Sequence, residues 1–256
     1  MDPVRYVAIG DSFSEGVGDD RPDGGVRGWA DLVAQGWASS GTPVEYANLA
    51  IRGKLIGSIV EEQLPAALAL QPTHLSFNAG GNDMMRPRAD AHAIAALYEH
   101  VLEQCDAAGV QLILLSGANP SAHLPMGRLF QARGDRLTSL VEARLGHRDD
   151  IVRAYNWPDG TFASRRFWSA DRLHLNARGH HRVAARVLDA LGVGAPSEWW
   201  DLPSFTAPDG PSGAAYYAEY VGPWVRRRLT GRSSGDGRPA KHPMWVDPDM
   251  LDGLDC

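Results

Sequence analysis

The chain reads as an α/β fold, a parallel sheet with helices on both faces. Two observations predict it. Five short apolar runs alternate with longer segments whose apolar residues recur at helical spacing. The chain also has 256 residues, 44% hydrophobic and 22% charged, which is ordinary globular composition and enough to bury a sizeable core. Strands joined through helices need right-handed crossovers and therefore run parallel. In such sheets the chemistry collects in loops at the carboxyl ends of the strands.

The expected strands, in order, are Val4–Ile9, Val44–Leu49, Thr73–Asn78, Val110–Ser116 and Ile151–Tyr155. The first ends in Gly-Asp-Ser, and Val110–Ser116 carries the strongest signal. Helical spacing runs through Trp29–Ala38, Leu55–Leu70, Ala91–Ala108, Leu129–Leu145 and Ala177–Leu191. After Gly192 the character changes. Residues 193–256 are rich in Pro, Gly, Asp and Arg, with one helix-like stretch near Ala214–Leu229. This tail nevertheless holds Trp199, Trp200, Phe205, Tyr216, Tyr217, Tyr220, Trp224 and Trp245, eight of the chain's 21 aromatic residues. A disordered tail is poor in aromatics. The expectation is a main domain over 1–192 and an aromatic extension over 193–256 packed on it, read first as an edge cover and second as a substrate-shaping lid.

The net charge is −6 and the pI near 5.8, which argues against a nucleic-acid binder working by phosphate neutralisation. Arg226, Arg227 and Arg228 form a local basic patch. Lys54 and Lys241 are the only lysines, a bias that reads as high-GC, bacterial coding. Cys105 falls in a helical pattern and Cys256 is the last residue, so no structural bridge is expected. No signal peptide and no apolar run long enough to cross a bilayer are visible, which makes the cytoplasm the default expectation and a membrane role unexpected. The oligomeric state is left open.

Four stretches carry the chemistry. Gly10-Asp11-Ser12 follows the first strand, where Gly10 permits a tight exit and Ser12 lands at the strand's carboxyl end. A serine there is also a favoured helix cap, so it needs partners to mean more. Asp171 and His174 sit in the last loop before the terminal helix. Three residues apart, they let a carboxylate reach imidazole Nδ1 and leave Nε2 to face a nucleophile. Asn82, in Asn78-Ala79-Gly80-Gly81-Asn82-Asp83, is placed to aim its amide at the same sheet edge, and Gly53 to offer a backbone N–H. The bland alternatives are a turn and a loop glycine. His180 and His181 read as surface or packing residues. No His-Glu-x-x-His, Cys-x-x-Cys, Gly-x-Gly-x-x-Gly or Walker sequence suggests a metal or a nucleotide, and no cofactor is expected.

In this order the four blocks resemble the SGNH hydrolases, the GDSL esterase/lipase family. The matches are Gly10-Asp11-Ser12 with Gly16, then Gly53, then Gly80-Gly81-Asn82-Asp83, then Asp171 with His174. The resemblance spans about residues 4–191, with Gly53 its loosest match, and the extension lies outside it. It implies a flavodoxin-like three-layer α/β/α fold with a five-stranded parallel sheet of order 2-1-3-4-5. It also implies an oxyanion hole made of the Ser12 N–H, the Gly53 N–H and the Asn82 amide.

The function this implies is a serine esterase acting on small-molecule carboxylic esters, with short acyl chains, through Ser12, His174 and Asp171. The alternatives are a carbohydrate O-deacetylase, with His123, Trp157 and Trp168 lining a sugar pocket, and an acyltransferase using the same triad. A non-catalytic binding module is the alternative from another class. Gly231-Arg232-Ser233-Ser234-Gly235 fits the Gly-x-Ser-x-Gly elbow, but it lacks the preceding strand and following helix that the elbow needs, and is set aside.

Overall fold

A computed structural model describes residues 2–203 and 210–251, with the backbone alone at residues 228 and 229. Phe205 and Cys256 therefore lie outside the described residues, as does the Arg228 side chain. The strands are β1 (Val4–Gly10), β2 (Val44–Asn48), β3 (His74–Asn78), β4 (Gln111–Ser116), β5 (Val152–Tyr155) and β6 (His242–Val246). The helices are α1 (Ser12–Glu15), α2 (Trp29–Ser39), α3 (Ile56–Ser58), α4 (Leu64–Ala69), α5 (Gly81–Met84), α6 (Ala91–Ala108), α7 (Gly127–Leu145), α8 (Ala177–Ala190), α9 (Gly213–Tyr216) and α10 (Gly222–Leu229).

The sheet order is β5-β4-β3-β1-β2-β6. Its first five strands are parallel and keep the expected 2-1-3-4-5 arrangement. The sixth corrects the five-stranded expectation. β6 comes from the extension and pairs antiparallel with β2, Tyr46 opposite Val246 and Asn48 opposite His242. Pro243 inside it cannot donate to a ladder, which suits an edge strand and weakens the strand signal in the sequence.

Alternation along each central strand builds two cores. Val7 and Ile9 of β1 join Leu75, Phe77, Tyr98, Leu112 and Leu114 on one face. Tyr6 and Ala8 join Trp29, Tyr46, Ile113, Leu115, Phe162 and Trp168 on the other. Burial on both faces explains the continuous apolar run Leu112–Leu115 of β4, while β3 interleaves its apolar residues with the buried Ser76 and Asn78. The expected Leu55–Leu70 helix is present as α3, a π-helical turn over Ile59–Gln63, and α4. That turn carries Gln63, whose amide brackets Gly10. Gly10 N–H donates to Gln63 Oε1 at 2.8 Å, and Gln63 Nε2 donates to Gly10 O at 3.0 Å.

One lysine ties the extension to α1, the loop after it and α2. Lys241 Nζ donates to Glu15 O at 2.7 Å, to Val26 O at 3.2 Å and to the buried Asp31 Oδ2 at 2.6 Å. His180 and His181 are both buried, so packing is their role and the surface reading is dropped. His180 Nδ1 accepts from Trp29 N–H at 3.2 Å, and burial pushes its imidazole down to about 3, which keeps it neutral. Cys105 is buried and unbridged, its thiol pushed up to about 12 by burial. Among the described residues no helix is long and apolar enough to cross a membrane, and no cluster of three His, Cys, Asp or Glu side chains is placed to hold a metal.

Candidate active site

The β1 strand ends on Gly10, whose φ of 149° and close packing against Ser14 Oγ and Asn78 O leave no room for a Cβ. The next residue, and not Ser12, caps α1. Asp11 Oδ1 accepts from Phe13 N–H at 3.1 Å. Ser12 is the first helical residue, and its hydroxyl is released from capping. His174 Nε2 stands 3.0 Å from Ser12 Oγ, and Nδ1 stands 2.5 Å from Asp171 Oδ2. The second contact implies Nδ1–H as the donor, so that Nε2 is the acceptor facing the serine.

The Asp171–His174 loop is tightly held. Asp171 Oδ1 accepts from Ser169 Oγ at 2.7 Å and from the N–H groups of Leu173 and His174, both at 2.9 Å. Asn176 caps α8 by accepting from Gly179 N–H at 3.1 Å, and its amide donates back to Arg166 O and Trp168 O. Sequence reasoning missed a further clamp from the extension. Buried Tyr216 donates its hydroxyl to Asp171 O at 3.0 Å, and the Arg172 guanidinium lies 4.0 Å from the Tyr216 ring centroid. Arg172 adopts φ 62°, a left-handed conformation that this stack and the donation from its Nη2 to Pro211 O hold in place. A tyrosine hydrogen-bonding to a main-chain oxygen across 45 positions leaves no sequence signal.

The loop after β2 presents Gly53 with φ 77°, a conformation that favours glycine. It is positioned by an ion pair that sequence reasoning also missed. Arg52 donates to the Glu15 carboxylate from its N–H at 2.5 Å and from Nε at 2.8 Å. Among the described residues, neither the Ser12 N–H nor the Gly53 N–H has a protein acceptor. Asn82 differs from expectation. It sits beside Ser12, but its Nδ2 donates to Asp11 Oδ2 and to Lys54 O, both at 3.1 Å, so both amide protons are occupied. The carbonyl it holds belongs to the residue after Gly53, which joins the second and third blocks into one rigid edge.

Electrostatics follow from this packing. Burial alone would raise the Asp171 carboxyl. The His174 charge and the hydrogen bonds from His174 and Leu173 outweigh it and hold the group well below the carboxylate range. Burial alone would lower His174, yet the Asp171 carboxylate and its hydrogen bond raise the imidazole above 6.5, with a further contribution from Asp11. Asp11 is itself pushed up to about 6 by burial, against the opposing pull of the Phe13 N–H, His174 and Asn82.

Two cavities open at Ser12 and His174. The first, about 150 Å³, is lined largely by carbon, including Met84, Leu124, Phe130, Leu137 and Trp157. The second, about 790 Å³, lies on the Gly53 side. Of the three residues considered for a sugar pocket, Trp168 is core, with Nε1 donating to Phe162 O at 2.8 Å. The His123 ring lies tilted against it, with centroids 5.8 Å apart, and both Trp157 and Trp168 reach the apolar cavity. The Gly231–Gly235 stretch, which only mimics an elbow, packs Ser233 and Ser234 against Gly53 instead.

A hydroxyl, an imidazole and a carboxylate in hydrogen-bonded series at the carboxyl edge of a parallel sheet form the arrangement of the serine hydrolases. Comparison with known proteins narrows the class. Residues 8–182 match the GDSL-like lipase/acylhydrolase family, and the chain belongs to that family of ester-acting hydrolases. No curated protein matches it. Among solved structures, the lipase Lip_vut3 from a goat rumen metagenome is similar at TM-score 0.61 and 19% identity, over 75% of this chain and 98% of that one. TesA is similar at 0.60 and 21%, over 73% and 97%. Axe2, an acetylxylan esterase from Geobacillus stearothermophilus, is similar at 0.58 and 17%, over 77% and 95%. These likenesses establish the fold, and each leaves about a quarter of this chain without a counterpart.

Proposed function

We propose that the protein hydrolyses carboxylic esters of short acyl chains through an acyl-enzyme on Ser12. The observation that carries this reading is the unbroken contact from Ser12 Oγ through both His174 nitrogens to Asp171, beside a cavity that Ser12 and Gly53 also line. Neutral His174 takes the Ser12 proton on Nε2 as Oγ bonds to the carbonyl carbon. Negative charge develops on the carbonyl oxygen, where the Ser12 and Gly53 N–H groups receive it, and one such donor is typically worth about 2.7–4 kcal/mol of barrier. His174 then returns the proton to the departing alkoxide as the C–O bond breaks. Water repeats the sequence on the acyl-serine, and the acid leaves. Asp171 stays ionised throughout and balances the imidazolium. Asn82 acts in this scheme through its grip on Asp11 and Lys54 O, and joins the oxyanion donors when the substrate displaces one of those bonds.

The short-chain assignment is supported by the size of the apolar cavity. A void of about 150 Å³ holds a molecule the size of benzene, which corresponds to an acyl group of a few carbons. The test uses Ser12→Ala and His174→Ala with p-nitrophenyl acetate and butyrate, alongside fluorophosphonate labelling. Both variants lose nearly all turnover while keeping their circular dichroism, and the wild type gains one adduct on Ser12. Undiminished hydrolysis by either variant, or an adduct elsewhere, overturns the reading. Adding glycerol to the assay and following the acylated product separates hydrolysis from acyl transfer.

A further inference from the structure

We infer that the larger cavity beside Ser12 binds an anionic group on the alcohol side of the ester, so that the substrates are esters whose leaving alcohol carries a carboxylate or a phosphate. The inference rests on the reading of Ser12 and His174 as the reacting pair. Its own ground is the gathering of four arginines on one cavity wall that carries no carboxylate among the described residues.

Four arginines line the cavity: Arg86 and Arg88 from the loop after α5, Arg227 from α10 and Arg232 just beyond it. No aspartate or glutamate lines it among the described residues. Arg232 Nε lies 3.5 Å from Asp236 Oδ2 in an exposed pair. Arg86, Arg88 and Arg227 have no carboxylate within ion-pairing distance among the described residues. Several other arginines of the fold are paired, although Arg21, Arg133, Arg153 and Arg172 bind main-chain carbonyls instead. Arg52 is bound by Glu15, Arg144 by Glu99, Arg148 by Asp106 and Asp150, and Arg182 and Arg186 by Asp159. A chain of net charge −6 thus concentrates uncompensated positive charge at one mouth of its candidate active site.

The two cavities divide an ester by chemistry. Both reach Ser12, His174, Asn82 and Leu173. The narrow, carbon-lined one suits an alkyl chain and offers no cation to an anion. The wide one offers guanidinium forks, which match carboxylate and phosphate oxygens in bidentate geometry. Walls of low dielectric focus such charge and raise both local concentration and encounter rate for an anion. Arg227 and Arg232 lie beyond residue 182, where the family match ends. The extension therefore carries specificity of its own, as well as an edge strand.

The test is a set of aryl acetates whose para substituent is insulated from the ring by a methylene, so that leaving-group reactivity stays nearly constant. The substituents are carboxymethyl, phosphonomethyl, hydroxyethyl and trimethylammoniomethyl. Wild-type kcat/KM is expected to be about tenfold or more higher for the anionic esters than for the neutral one, and lowest for the cation. The preference should shrink as salt is raised to roughly 0.5 M. Whether the carboxylate or the phosphonate leads identifies the oxyanion. In Arg88→Glu/Arg227→Glu, and in the milder Arg88→Gln/Arg227→Gln, the anion-to-neutral ratio collapses. A ratio near one in the wild type, or an unchanged ratio in a folded double variant, overturns the proposal while leaving the esterase reading intact. A readout free of catalysis is calorimetric titration of 4-hydroxyphenylacetate into Ser12→Ala. Binding there that is lost on arginine reversal upholds the anion site even if every ester proves inert, an outcome that would sink only the esterase reading. No binding to Ser12→Ala sinks the anion site.

Discussion

Replacing Gly53 with alanine tests the oxyanion geometry proposed above. Residue 53 has φ 77°, and holding an alanine in that left-handed region costs about 1–2 kcal/mol. The added methyl also overlaps Ser233 Oγ and meets Ser234 Oγ at 3.2 Å. Ser233 can rotate away only by giving up its bond to Gly235 N–H, 3.1 Å long, a further 0.5–1.5 kcal/mol or roughly so. The neighbours of residue 53 cannot follow. Arg52 is fixed to Glu15 and the Lys54 carbonyl is held by Asn82. The strain is therefore relieved by turning the Gly53 peptide, which swings its N–H off the carbonyl oxygen of a bound ester. Losing one such donor costs about 2.7–4 kcal/mol of barrier, or roughly 100- to 1000-fold in kcat, with KM little changed because the contact forms in the transition state. Residual strain lowers the melting temperature by roughly 2–8 °C. Hydrolysis of p-nitrophenyl acetate gives kcat and KM, and calorimetry gives the melting point. Adding Ser233→Gly should recover part of the stability and none of the kcat. Wild-type kcat in Gly53→Ala would refute the argument, because it would show that the N–H contributes nothing or that the loop absorbs the methyl without moving.

Two further outcomes follow from the same structure. The proposed mechanism needs neutral His174, whose pKa is raised above 6.5, so the acid limb of kcat/KM should have its midpoint above 6.5. Asp11→Asn removes a nearby negative charge and should move that midpoint down; a midpoint that stays put shows that Asp11 does not act on the imidazole. For acyl chains, each added methylene buried in the apolar cavity contributes about 0.8 kcal/mol, or about fourfold in kcat/KM, until the cavity is full. Activity should then fall beyond a few carbons, and Leu137→Ala should move the optimum to longer chains at a stability cost of about 2–5 kcal/mol. A wild type that prefers decanoyl to butyryl esters contradicts the cavity assignment.

What the sequence displayed and what it hid divide along one physical line. Strands β1 to β4 announced themselves as short segments rich in apolar residues between helical patterns, most clearly the Leu112–Leu115 run of β4, which is buried on both faces; their order came with the family resemblance. The candidate site residues Ser12, Gly53, Asn82, Asp171 and His174 stand out in the sequence because each sits in a short block after a strand or before α8, where local spacing and topology meet. The hidden features are all single contacts between segments far apart in the chain. Gln63 brackets Gly10 from a π-helical turn, Glu15 anchors Arg52, and Tyr216 closes on Asp171. Each donor or acceptor there looks like an ordinary polar residue in its own neighbourhood. Asn82 shows the same limit at a residue that was recognised. Its block fixed where the amide lies, but only the fold reveals that Asp11 and Lys54 already occupy both of its protons. The extension is the extreme case. Its β6 strand is short and contains proline, and Arg227 and Arg232 acquire meaning only beside Arg86 and Arg88, about 140 positions upstream. A local pattern encodes which groups stand at the edge of the sheet. What those groups select, on the anion-site proposal, depends on charges brought together from the loop after α5 and from the extension, the segment with the weakest pattern of all.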